Sequence, residues 1–380
     1  MLPSTRFQDA LHAYTPRAPG RGKTPAVILA FPRAFPADDA EHALPDVAAA
    51  RARLGEHAAP LETLLCRLRE HFAPLLASVD DAALLDRVAD AVRLCYARLA
   101  LRHGHLGPDL HAYHNEGHIL DICGARLQRL GETHGIDALD LRDWCVLLLF
   151  GAGHDLRQRE ASQIVGGVGA NERASSEETL RILDICGFSR ERDADFYLAI
   201  ELTIAGSTFD ARSPAGAHLY NAADLVQSGG ALAAKLDYTL DAAQADWRED
   251  PRIVHARRLA LVAADLDTAN VAEAFAQFAR SGENLCRERE MLSGRSLSAG
   301  ESALPVLGFL TDGQDRFFFE LHRFHSELGR AAFEAGKRAN GDKLKALSMG
   351  VRARIAMRGP PADGDEVIAE YRETLAELVD

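Results

Sequence analysis

The chain has 380 residues, with 56 acidic against 43 basic side chains and a formal net charge of −13. That balance speaks against a general nucleic-acid or anionic-membrane surface. A hydrophobic content of 47% with 26% charged residues is that of a globular protein, long enough to bury a sizeable core.

The six cysteines, Cys66, Cys95, Cys123, Cys145, Cys186 and Cys286, lie in apolar segments without a CxxC pair. They read as reduced, mostly buried thiols and not as zinc ligands. The first residues lack the apolar core of a signal peptide, and the longest apolar runs are too short for a bilayer, so the expected location is the cytoplasm with no membrane partner.

In chain order, residues 1–58 are rich in Pro, Gly, Ala and charge and read as an irregular N-terminal extension. Within it GRGKT, at 20–24, ends like a phosphate-binding loop. Arg17 stands where the first glycine belongs, however, and no strand precedes it. Residues 59–380 read as one all-α domain. Leu61, Leu64, Leu65 and Leu68 have helical spacing. Asp80 and Asp81 cap a second helix with Leu84, Leu85, Val88, Val92 and Cys95 on one face. The segment 140–150 is nearly all apolar after its first turn and is expected to be a central buried helix. Further helices are expected over 176–186, 190–205, 230–245, 252–280, 314–334 and 365–379. No run of alternating strands and no fixed-period repeat interrupts this pattern.

Three stretches carry candidate chemistry. In AYHNEGHILD, His114 and His118 stand four apart and project from one helix face, with Asp121 one turn beyond His118. The order HNEGH differs from the HExxH of zinc peptidases, because its glutamate faces away from the pair. In LLLFGAGHD, His154 and Asp155 follow the apolar helix directly. If buried, an ionised Asp155 needs a cation, an arginine or helix N–H groups. In LALVAADLDTANV, Asp265 and Asp267 lie in or near another apolar helix. Asp265, in the more apolar part, is the preferred candidate, and Asp267 then faces elsewhere. His118, His154, Asp155 and Asp265 together form a nitrogen and oxygen donor set suited to Zn, Mn, Fe or Mg.

YHNxxHxxD, a following HD and a later Asp in an apolar helix resemble the HD-domain metal-dependent phosphohydrolases. The closest pattern is the catalytic domain of the cyclic-nucleotide phosphodiesterases. The resemblance covers roughly residues 80–319, with 36 positions between His118 and His154. It implies a compact all-α phosphodiesterase-like fold, two divalent ions and a small phosphorylated substrate. His118, His154, Asp155 and Asp265 would hold the first ion, Zn or else Fe or Mn. Asp155 would bridge to the second, Mg or Mn, with an activated water between the two ions as nucleophile. His114 would be the catalytic acid that protonates the leaving oxygen. Glu177 and Asp121 would orient ligands or waters from outside, and Asn115 and Phe309 would contact substrate. For Glu177, a helix first-turn carboxylate is an equal reading.

The chain departs from this pattern at three places, one of them Thr203, which is followed by Ile204 where the family shows Thr-Asp. Gln158 stands where a further histidine is usual, and Val306 stands where the family has the glutamine that reads a purine. Gln314 reads as a surface residue. Arg157 and Arg159 are candidates for substrate phosphate or for simple solvation. Phe317, Phe318, Phe319 and Phe324 read as core or homodimer packing. The rival functions are a phosphomonoester or nucleotide hydrolase, a di-iron oxygenase of the same type, and a non-catalytic metal or nucleotide sensor.

Overall fold

The computed structural model describes residues 35–158, 169–210 and 230–379. GRGKT at 20–24 and Arg159 lie outside the described residues. The fold is all-α. Among the described residues the only strands are a two-residue antiparallel pair, with Phe209 opposite Ala231 and Asp210 opposite Gly230. No helix among them is long and apolar enough to cross a membrane.

The chain divides into two compact units. The first takes in the described residues up to Leu110 together with His114–Asp267, and the second takes in His111–Tyr113 and the chain from Thr268 onward. A single domain over 59–380 was the expected organisation. The division after Asp267 coincides with a break in secondary structure. One helix was expected over 252–280, yet the chain forms Pro251–Asp267, a 3₁₀ stretch at Thr268–Ala272 and a new helix at Phe275–Leu292.

In the first unit the described part of the N-terminal extension is not irregular. It forms α1 (Asp39–Ala43) and α2 (Val47–Leu54), whose N-caps Asp38 and Asp46 accept from the N–H groups of Glu41 and Ala49. Both pack on the long helix α4 (Val79–His103), which follows α3 (Ala59–Phe72). Buried ion pairs hold α1 in place. Glu41 meets Arg181 at 2.6 Å, Arg157 at 3.2 Å and Arg98 at 3.4 Å. Asp38 meets Arg102 at 2.7 Å, and Glu178 meets Arg102 at 3.1 Å and Arg98 at 3.3 Å. Arg157 is therefore a buried structural arginine and not a group waiting for phosphate.

Four further helices build the core behind the candidate residues. α7 (Leu141–Gly153) is buried along nearly its whole length, as expected. α8 (Ala170–Ile185), α9 (Ala194–Ser207) and α11 (Pro251–Asp267) pack around it, with α9 lying along α11. The short α10 (Leu236–Ala243) lies before α11. α5 (Glu116–Asp121) runs into a π-helical segment, Ile122–Arg126, and then into α6 (Leu127–His134). Gly151 permits that segment to approach α7. A Cβ there would stand 2.8 Å from Cys123 Sγ and from Ile122 Cγ2.

The second unit contains α12 (Phe275–Leu292), α13 (Ala303–Gly308), α14 (Gln314–Arg316), the 32-residue α15 (Glu327–Arg358) and α16 (Gly364–Val379). The helix expected over 314–334 is interrupted. A π-helical stretch, Phe317–Leu321, ends where His322 turns extended, and Ser326 caps α15 by accepting from Gly329 N–H. Gln314, expected at the surface, is buried, and so is Val306.

Glu201, on α9, is 3% exposed, and its Oε2 makes no hydrogen bond among the described residues. Burial pushes its carboxyl from the ordinary 4.5 up to about 8. Between these values the folded chain holds a proton that the unfolded chain has released, so stability falls as pH rises through this window. Glu201→Gln should leave stability nearly unchanged at pH 5. At pH 8 it should stabilise by on the order of a few kcal/mol, read by denaturant unfolding. An equal effect at both pH values would contradict the assignment.

Candidate metal centre

Each candidate ligand is placed by a helix end. Asn115 caps α5 by accepting from Gly117 N–H at 2.8 Å, so that the helix starts at Glu116, two residues before His118. The carboxamide oxygen expected to meet substrate thus caps a helix. His154 follows the last residue of α7. Gly153, just before it, lets α7 lie against α8, since a Cβ there would meet Thr179 Oγ1 at 2.6 Å.

Around these ends, His118, His154, Asp155 and Asp267 offer ligand atoms that all lie within 4.8 Å of one another. Three of them were expected, but the fourth was not. Asp265 is fully buried in α11 and is outside the group. Two residues on a helix are about 200° apart, so only one of the two aspartates can face the centre. Asp267 is the last residue of α11, and its side chain is 20% exposed. The preference for the more deeply buried carboxylate was the error.

The distances suit a shared cation. Asp155 Oδ2 lies 3.0 Å from His154 Nε2 and 3.5 Å from His118 Nε2. Asp267 Oδ1 lies 3.3 Å and 3.6 Å from the same two nitrogens. Ligands held about 2.1 Å from one ion at tetrahedral angles stand about 3.4 Å from each other. The tautomer of His154 is also suitable. Its Nδ1 lies 3.1 Å from the Phe150 carbonyl, which only accepts, so Nδ1–H donates and Nε2 faces the carboxylates. This buried set of two imidazoles and two carboxylates could hold a metal ion.

Burial opposes charge on His154, but the Asp155 and Asp267 carboxylates outweigh it and hold the imidazole well above its ordinary range. Burial lowers His118, which Arg126 reinforces against the two carboxylates. Despite burial, the facing imidazoles depress both Asp155 and Asp267.

Neighbouring groups extend the site. His114 stands with Nε2 3.8 Å from Asp155 Oδ2, its side chain 23% exposed, and its ring is edge-on to His118. Gln158 Nε2 donates to Asp155 Oδ1 at 2.6 Å, and Asn171 Nδ2 donates to Gln158 Oε1 at 3.3 Å. Gln158, which stands where the resemblance leads one to expect a histidine, thus fixes the Asp155 carboxylate. Glu177, expected to orient ligands or waters from outside, accepts from Phe35 N–H at 3.1 Å. Asp121 is exposed at the end of α5. Glu172, in the first turn of α8, is the acidic residue of that stretch which feels the centre. Burial first, then the Asp155 and Asp267 charges, push its carboxyl up to about 7. The sequence reading passed over it for Glu177, although both lie in NERASSE.

Phe309 belongs to the second unit, where the Arg289 guanidinium lies 5.3 Å from its ring centroid. Another acidic group, Asp38, Glu41 and Glu178, could also be read as a cation site, but the arginines described above already neutralise it. No model of a known protein family matches the chain, and a search of curated proteins finds no match either.

The two aspartates separate cleanly by experiment. Asp267→Asn should weaken zinc binding by about 100-fold or more, whereas Asp265→Asn should keep metal content, whatever it does to melting temperature. Metal analysis after dialysis checks this, and loss of metal from Asp265→Asn alone would reverse the assignment.

Proposed function

We propose that this chain is an HD-type metal-dependent phosphohydrolase that cleaves phosphodiesters, with a cyclic nucleotide or related small diester as substrate. The observation that carries this reading is the convergence of His118, His154, Asp155 and Asp267, with the half-exposed His114 beside Asp155. The residues suit two divalent ions, Zn, Fe or Mn in the four-residue site and Mg or Mn shared through Asp155. When bound, such ions supply a water of lowered pKa and offset the charge on phosphate.

The side chains have separable tasks. His118 and His154 turn Nε2 toward the two carboxylates, and the Phe150 carbonyl fixes the ring of His154. Asp155 and Asp267 supply the negative charge that makes a cation favourable there. Gln158 fixes the rotation of the Asp155 carboxylate. His114, more exposed than either ligand histidine, holds a proton for the leaving oxygen. The buried Val306 offers no polar atom for a purine, so the reading does not extend to purine selectivity.

One observation favours a second reading. The bond from Gln158 engages Asp155 Oδ1, the oxygen left to share with a second ion. A one-ion centre would fit a monoesterase or a sensor without turnover. Metal stoichiometry separates the two, with two ions per chain expected for the diesterase and one for the alternative.

Replacing His118 by Ala should remove both metal and activity. Replacing His114 by Ala should keep the metal and lower kcat on cyclic nucleotides or model diesters by about 10²–10⁴-fold. A metal-replete protein inactive on a broad panel of phosphodiesters and monoesters would overturn the reading. Loss of metal from His114→Ala would overturn the division of roles.

A further inference from the structure

We propose that Arg126 is a positioning residue of the metal centre, setting where the Asp267 carboxylate stands by gripping the backbone that carries it. This inference rests on the reading of His118, His154, Asp155 and Asp267 as a metal site. Arg126 is only 2% exposed. Its Nη1 donates to the carbonyl of Leu266 at 3.2 Å and to that of Asp267 at 2.5 Å. These are the last two residues of α11.

Carbonyls at a helix C-terminus lack partners within the helix, and a cation there is favoured by the helix dipole. Arg126 meets both needs, one Nη1 amino group donating to both carbonyls. Because α11 gives way to a 3₁₀ stretch directly after Asp267, no further α-turn fixes that residue. Its short side chain transmits any backbone shift to the carboxylate. A displaced Asp267 Oδ1 would lose its place 3.3 Å and 3.6 Å from the two imidazoles.

The π-helical segment explains how Arg126 reaches this position. On an unbroken α-helix residue 126 would lie about 80° round from His118, after eight steps of about 100°. The wider turn at Ile122–Arg126 takes up part of that rotation. The helix that presents His118 to the centre therefore also presents the group that holds Asp267. Two ligands distant in sequence are located by one piece of backbone.

The test uses the full-length chain stripped of metal, with Zn²⁺ titrated against a competing chelator and the visible spectrum of the Co²⁺ form recorded. Arg126→Met should weaken Zn²⁺ by about 10–100-fold and alter the Co²⁺ bands, while the metal-free protein still melts cooperatively. Arg126→Lys should recover part of the loss. The double variant Arg126→Met with Asp267→Asn should bind no more weakly than Asp267→Asn alone, because the first change acts through Asp267. Wild-type affinity within about twofold for Arg126→Met, or losses that add in the double variant, would overturn the proposal. If Arg126→Met fails to fold, Arg126→Lys decides the matter. A few-fold loss with shifted Co²⁺ bands supports the proposal, and unchanged affinity and spectrum overturn it. A wild-type chain that binds neither Zn²⁺ nor Co²⁺ would remove the metal centre and this inference together, whereas binding insensitive to Arg126 would remove only the inference.

Discussion

Two carboxylates, those of Asp155 and Asp267, are brought against the same two imidazole nitrogens. Like charges at this separation, largely withdrawn from water, repel strongly unless a positive charge stands among them. Either a metal ion or a proton on His154 can supply it. Much of the first unit can be understood as the framework needed to hold that arrangement. α7 is buried almost throughout, so His154 and Asp155 emerge from the most constrained helix of the unit. Small residues at 151 and 153 allow the helices on either side to close on it.

The same principle, charge neutralised at burial, recurs at the N-terminal segment with a different outcome. There the acids Asp38, Glu41 and Glu178 meet the guanidinium groups of Arg98, Arg102, Arg157 and Arg181. A permanent protein cation fills each gap, and nothing is left for an ion from solution. The comparison clarifies what is distinctive about the centre. Arg126 is close enough to influence His118, but its guanidinium is bonded to the Leu266 and Asp267 carbonyls. A fixed positive charge bonded to the carboxylates would compete with metal, whereas one bonded to the neighbouring backbone can locate them.

The legible parts of this site are those encoded by local spacing. His114 and His118 share a face because four residues make about one helical turn. His154 and Asp155 are conspicuous because they end an apolar run. All-α architecture follows from the same periodicity. Asp265 and Asp267 could not be resolved this way, since the choice depends on where the helix stops. Apolar residues continue through Val271 and Ala272 in the sequence, so the pattern reads as one helix where the chain forms two. The helices in residues 39–54 were hidden by a composition typical of irregular chain. The first is held by Arg98, Arg102, Arg157 and Arg181, all remote in sequence, and the second buries Ala50 and Leu54. Glu172 and Glu177 illustrate the same limit. Five positions apart in one helix, they look alike in sequence, yet one feels the centre and the other receives Phe35 N–H.

Competition between metal and proton then follows from the geometry. His154 Nδ1–H is committed to the Phe150 carbonyl, so only Nε2 can change state. In the absence of metal the carboxylates favour a proton on Nε2, and that proton must leave before the nitrogen can bind an ion. The group that makes the site favourable for a cation therefore also makes it retain a proton. Were a metal to bind there, its affinity would weaken as pH falls, because binding would release that proton. Burial lowers His118 instead, against the pull of Asp267 and Asp155. The two ligand histidines are alike in sequence and in burial, but their carboxylate contacts give them different parts in the exchange. His154 lies nearer to both Asp155 and Asp267 than His118 does, so a metal bound there would compete with the proton at its Nε2.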